Sequence, residues 1–247
     1  MRTLTVIIAL TVLAFSTIAC SQKSNYNTSG FFNGKTVKAS KNYVTKDIRV
    51  DNFTKINLAG SPDVIYTQKN GKPQVKIYTS DNIINLLDVN VKNGVLNIGF
   101  KKGTSVSYNK LEIRISSETL NGVSIAGSGD IALTNGLKTD FFKMAIAGSG
   151  DIKLKNIVAI NTQASVAGSG TAELTGTTQE ATYSVAGSGD LYASDFQAKR
   201  ASANVTGSGD IKCHVTDFLK VRTSGSGSVG YKGNPELDYP KKGLYKL

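Results

Sequence analysis

The tripeptide Gly-Ser-Gly occurs six times, starting at Gly127, Gly148, Gly168, Gly187, Gly207 and Gly225, at spacings of 21, 20, 19, 20 and 18 residues. Self-similarity at a period near twenty marks a solenoid, in which each repeat contacts only its neighbours. With the copies aligned on the first glycine, four columns are mostly apolar. Four places before it stand Val123, Met144, Ala164, Tyr183, Ala203 and Val221, and two places before it Ile125, Ile146, Val166, Val185, Val205 and Thr223. Four places after it stand Ile131, Ile152, Ala172, Leu191, Ile211 and Val229, and six places after it Leu133, Leu154, Leu174, Ala193, Cys213 and Tyr231. The columns between hold Ser, Ala, Asn, Lys, Glu and Thr. This is the period-two alternation of strands with an inward and an outward face, broken by a corner at Gly-Ser-Gly.

One such repeat cannot close a core. Stacking coils about 4.8 Å apart turns each inward column into a continuous apolar ladder. A leucine-rich horseshoe lacks its Leu/Asn signature here, and a propeller needs about four strands in some forty residues. The expected fold is all-β: a parallel β-helix-like solenoid of about 20 residues per coil. Residues 42–123 are strand-rich but less regular. Ile48-Arg49-Val50, Ile56-Asn57-Leu58, Val75-Lys76-Ile77-Tyr78 and Leu111-Glu112-Ile113-Arg114-Ile115 alternate, and Asn93-Gly94 between two alternating arms is a type I′ hairpin signal. Residues 82–87 suggest one short helical turn. Ala59-Gly60-Ser61-Pro62-Asp63 reads as a degenerate earlier copy of the corner.

The N-terminus reads as an export signal. Arg2 precedes a short apolar run from Leu4 to Phe15, too short for a membrane span, and small residues lead to Ala19-Cys20. This end resembles a lipobox, with Thr17 where Leu is usual. The resemblance implies cleavage after residue 19, acylation of Cys20 and, with Ser21 following, anchoring in the outer membrane of a diderm bacterium, on its periplasmic or surface side. Residues 20–41 are then the lipidated Cys and a polar tether, and 42–247 one domain. The net charge of +11 becomes +10 once residues 1–19 are removed. A basic surface attracts anionic polymers or headgroups, while Lys on strand edges also keeps β-proteins soluble. No Arg cluster or basic-aromatic stripe points to nucleic acid. With Cys20 acylated, Cys213 stands alone, so no intramolecular disulfide forms; it reads as a small buried residue.

From about residue 45 to the C-terminus the chain resembles the head GIN domain auto-transporter adhesins. The resemblance rests on Phe53-Thr54-Lys55-Ile56 with Gly60-Ser61-Pro62-Asp63, the arm Val95-Leu96-Asn97-Ile98, Leu120-Asn121-Gly122-Val123 leading into the serial Gly-Ser-Gly-Asp phrases, and Tyr231-Lys232-Gly233-Asn234-Pro235. It implies a right-handed β-helix similar to pectin-lyase-like folds, and a role in adhesion.

The repeated phrase admits several chemistries. As a structural corner, Gly127 and Gly129, Gly148 and Gly150, Gly168 and Gly170, Gly187 and Gly189, Gly207 and Gly209, and Gly225 and Gly227 supply backbone angles and close approach that side chains resist. A phosphate cradle needs convergent N–H groups at a helix N-terminus, and only strands follow here. A nucleophile elbow needs a His, and the single His214 neighbours the inward Cys213, so it is expected to point outward. Asp130, Asp151, Asp190 and Asp210 share one column, interrupted by Thr171 and Ser228. Stacked about 5 Å apart, like charges disfavour one another. The carboxylates accept turn N–H bonds, Lys neutralises them, or Ca²⁺ bridges them. No other cofactor is implied. Equivalent repeated Asp corners give the opposite of the inequivalent acid and base that glycoside hydrolysis requires.

These readings converge on a non-enzymatic envelope lipoprotein that uses solenoid faces to bind glycans or proteins, with outward Tyr108, Tyr192 and Lys as candidate contacts. Edge pairing of terminal coils into homo-oligomers is a further expectation. The rivals are a β-helix polysaccharide lyase or hydrolase and a purely structural envelope protein.

Overall fold

The computed structural model describes residues 36–239 and 242–247. The expected signal segment and Cys20 lie outside the described residues.

Apart from one 3-10 turn at Ile84–Leu86, every regular element among the described residues is a strand. The long segments Leu137–Gly148, Ile152–Gly168, Thr171–Gly187, Asp190–Gly207 and Ile211–Gly225 stack in parallel, with the first glycines in one register: Gly127 on Gly148, then Gly168, Gly187, Gly207 and Gly225. The solenoid makes about six turns. The unequal spacings are absorbed away from this corner, by register shifts at Leu154/Ile157, Glu173/Thr175 and Ala193/Gln197.

Burial explains why a coil of this length closes. Within Ile152–Gly168 the inward positions are Ile152 and Leu154, then Ile157 and Ala159, then Thr162, Ala164 and Val166. Alternation fails at 155–156, 160–161 and after Val166, where consecutive residues face out. Each coil therefore has three faces and three corners. All four columns foreseen from the sequence are buried except at the last coil, where Thr223 and Tyr231 are half-buried. Full burial of each Ile or Leu contributes on the order of 2 kcal/mol.

Gly60 stacks directly beneath Gly127, so the degenerate phrase is the first corner, although 67 residues separate the two. The intervening chain builds a cap. Val95–Phe100 lies under Lys55–Gly60, and Leu111–Ser117 lies under Asp63–Gln68, both parallel. Gln74–Ser80 then runs antiparallel to both Leu111–Ser117 and Tyr43–Ile48, and Leu87–Lys92 runs antiparallel to Val95–Phe100. The hairpin turn is as expected, with Asn93 and Gly94 at φ 51° and 73°.

Three details depart from expectation. The strand at residues 48–50 ends at Ile48. Docking of the expected tether begins by Thr36: Val37–Lys38 pairs with Val106–Ser107, and Ser40 donates to Asp81. Tyr108 is not outward. Its ring packs 5.7 Å from Phe100 against the core, because Val106–Ser107 is a two-residue bridge and the chain then turns under the first coil.

Candidate functional site: the corner ladder and the outward faces

At each corner two N–H groups reach back one coil. Ser149 N and Gly150 N donate to Gly127 O at 3.0 and 3.2 Å, Ser169 N and Gly170 N to Gly148 O, and Ser188 N and Gly189 N to Gly168 O. The same pair recurs at Gly207 and Gly225. The approach is so close that a Cβ on Gly168 would lie 2.2 Å from Gly148 O, and one on Gly170 2.1 Å from Gly150 O. Gly168 also sits at φ 129°, where L side chains are strained. The corner N–H groups are spent within the solenoid, so they form no phosphate cradle.

The aspartates continue this stitching. Asp130 Oδ1 accepts Asp151 N at 2.9 Å, Asp151 Oδ1 accepts Thr171 N at 2.9 Å, and Asp190 Oδ1 accepts Asp210 N at 2.9 Å. Asp210 Oδ1 accepts both the N–H and the hydroxyl of Ser228 at 2.8 Å. Asp63 begins the series by accepting Asp130 N at 3.2 Å. Of the three arrangements left open by the sequence, the N–H bond is the one observed, directed to the next coil instead of the residue's own turn. Asp63 is raised above the ordinary carboxylate value, chiefly by burial; the Asp130 N–H opposes this and the Asp130 charge adds to it. Among the described residues no three His, Cys, Asp or Glu side chains gather as metal ligands.

Pro62 holds the place of the second glycine in the first corner. In later corners that residue donates an N–H to the coil below. The layer beneath Pro62 has no Gly-Ser-Gly corner, and proline has no N–H to leave unpaired.

Cys213 is buried, 3.7 Å from Gly230 O, and burial pushes its thiol up to about 12. His214 is half-buried. Tyr192 is likewise half-buried and donates its hydroxyl to Asp190 at 2.9 Å, which also raises its own pKa; Lys212 lies 5.4 Å over its ring. That tyrosine is thus engaged within its face.

The face leading into each corner is built from small side chains. Asn57, Ser124, Ala145, Ser165, Ser184 and Asn204 are in register, as are Ala59, Ala126, Ala147, Ala167, Ala186 and Thr206. The second set is exposed. This makes a flat strip that repeats every coil, about 4.8 Å apart. Beside it a shallow groove of about 260 Å³ opens where Gly122 stands between Lys55 and Lys143 in one column. With no side chain at Gly122, the two lysines flank an apolar hollow lined by Val95, Val123 and Phe141.

The sequence reading missed that groove and the exposed Phe141, Val158 and Ile160. The signal was present: Phe141-Phe142 and Ile157-Val158-Ala159-Ile160 place apolar residues on both phases of the alternation. Among the described residues no helix is long and apolar enough to cross a membrane.

Stacked coils and corners closed by internal hydrogen bonds define a parallel β-solenoid with a flat outward strip. The family model described as "Putative auto-transporter adhesin, head GIN domain" matches residues 52–235, and the chain belongs to that family. Solved structures agree. A putative adhesin from Bacteroides fragilis is 33% identical, with a TM-score of 0.79 over 85% of this chain and 99% of that one. A putative lipid binding protein from Parabacteroides distasonis is 28% identical, with a TM-score of 0.73 over 86% and 100%. A putative adhesin from Parabacteroides merdae is 26% identical, with a TM-score of 0.66 over 86% and 99%. No curated protein matches the chain.

Proposed function

We propose that this protein is a non-enzymatic adhesion lipoprotein, acylated at Cys20 and held at the outer membrane, that binds an extended glycan or protein along its flat strip. The observation that carries this reading is the in-register strip Ala126, Ala147, Ala167 and Ala186 with Ser124, Ser165 and Ser184 beside it. A surface without projecting loops admits a long ligand lying across several coils; Ser124 and Ser165 already donate to Asn57 and to the Met144 carbonyl in the coil below, which leaves their hydroxyl oxygens to accept. Membership of an adhesin family supports export and binding. Glycan-array and envelope-protein binding by the purified chain test the reading. Ala147→Arg and Ala167→Arg, which roughen the strip, are expected to weaken binding at least tenfold. Unchanged binding would move the site elsewhere, and reproducible cleavage of an anionic polysaccharide would replace the reading with an enzyme. Metabolic labelling with a fatty-acid precursor, lost in Cys20→Ser, tests the anchor.

A second reading is favoured by the groove beside Gly122. Its apolar lining between Lys55 and Lys143 suits an anionic amphiphile, in keeping with the relative described as lipid binding. Displacement of a fluorescent fatty acid, abolished by Gly122→Leu or Lys143→Glu, tests it.

A further inference from the structure

The basic charge is unevenly placed. Residues 122–228, the regular coils, hold 9 Lys and Arg against 9 Asp and Glu. Residues 36–121, the cap and first coil, hold 13 against 7. All 13 are exposed, and among the described residues only Lys76, 3.7 Å from Asp47, and Arg114, beside Glu112, form ion pairs within the cap. Of the rest, Lys46 donates to Asn85 and Lys110 lies 4.9 Å over the Tyr78 ring, contacts that leave their charge unneutralised.

The cap's outermost elements carry much of this charge. Tyr43–Ile48 and Leu87–Lys92 are edge strands, each paired on one side only. Val37–Lys38 pairs only with Val106–Ser107. Lys38, Lys41, Lys92, Lys101, Lys102 and Lys110 lie on or beside these elements. The end that carries the charge is also the end by which the chain enters the domain, at Thr36, where its hydroxyl bonds Ser105.

We infer that this lysine-rich cap docks on the anionic lipid headgroups of the membrane that holds the N-terminal acyl group. The inference rests on acylation at Cys20. Sixteen residues from Cys20 to Thr36 span at most about 55 Å, so the cap, where the tether joins the domain, stays within that reach of the bilayer. Attraction between exposed charges fades over about 8 Å in physiological salt, so only an end that comes close gains from it. The neutral coils then project away, leaving the strip clear of the surface. Each lysine that reaches an anionic surface strengthens binding roughly fivefold.

The test uses the chain from residue 20 with Cys20→Ser, so that no acyl group contributes and failure of the anchor is read separately by acyl labelling. Co-sedimentation is measured with vesicles of phosphatidylcholine alone and with about 30 mol% phosphatidylglycerol, in about 0.1 M salt. At least tenfold tighter binding to the anionic vesicles is expected, weakening as salt rises. Combined Lys38→Glu, Lys92→Glu, Lys101→Glu and Lys102→Glu is expected to abolish that preference, with the Lys→Gln set intermediate. The same number of reversals at Lys138, Lys155, Lys199 and Lys246 is expected to leave most of it. Circular dichroism melts confirm that each variant folds. Equal binding to both vesicles, equal loss from both reversal sets, or tighter binding to soluble polygalacturonate than to anionic vesicles overturns the inference.

Discussion

Asp151 Oδ1 accepts the backbone N–H of Thr171, one coil further on, at 2.9 Å. Thr171 does not repeat the gesture, and the next N–H, that of Asp190, turns instead to Gly170 O at 3.1 Å. The aspartate column is therefore a set of inter-coil braces, with Thr171 marking the single missing rung between Asp63 and Asp210. Asp151→Ala is expected to lower stability by about 1 kcal/mol, while Asp151→Asn, which keeps an acceptor, loses less. Urea unfolding of the two variants checks this; equal losses would rule out the acceptor role.

Gly168→Ala and Gly170→Ala place a methyl within 2.2 Å of a carbonyl oxygen in the coil below. Each is expected to cost at least about 2 kcal/mol, because the backbone of two coils must separate. Ser169, exposed between them, is expected to accept Ala with little change. Thermal unfolding of the three variants separates a steric corner from one that depends on its hydroxyl.

The Tyr183 ring is fully buried, and its hydroxyl has no hydrogen-bond partner among the described residues. Burial, and secondarily Cys213, raises its pKa well above the ordinary phenol value. Tyr183→Phe removes an unsatisfied group while keeping the ring, so a gain of about 1 kcal/mol is expected. A loss would show that the hydroxyl is satisfied.

Asp63 supplies a pH dependence. Its pKa is raised above 3.8, first by burial. Folding therefore favours the protonated acid. This stabilisation is full below the ordinary carboxylate value and is lost as pH rises through the raised one. Asp63→Asn keeps the acceptor for Asp130 N and removes the charge. It is expected to raise the melting temperature at neutral pH, with the gain vanishing in acid. A gain that persists in acid would point to packing instead.

Cys213, with its thiol near 12, is expected to resist alkylation in the native protein at mildly alkaline pH and to react once unfolded. Native labelling at the rate of a free thiol would place it at the surface.

The regular coils were legible because period and alternation coincide: Ile146, Val166 and Val185 stand where the corner spacing puts them, and all are buried. The cap was less so. Gly60 and Gly127 touch across 67 residues, and the chain between them mixes parallel with antiparallel pairings, so no period carries across it. Tyr108 misled because two strand residues are too few to establish a phase. The aspartates were legible as a column but not as braces, because the direction of a hydrogen bond depends on where the neighbouring coil's N–H points. The flat strip was present in the sequence as Ser and Ala between apolar columns, but its use as a surface came only from the registers.

The corner has a direction: its N–H groups always reach toward the preceding coil, and Pro62 begins the series with no N–H to offer. The molecule is therefore graduated like a ruler, with its zero at Pro62 and a mark about every 4.8 Å thereafter. Because each mark touches only its neighbours, the ruler can be lengthened or shortened by whole coils between Gly148 and Gly207 without recutting either end. Reach, measured in coils, is then a quantity that evolution or an engineer can set independently of what the face recognises.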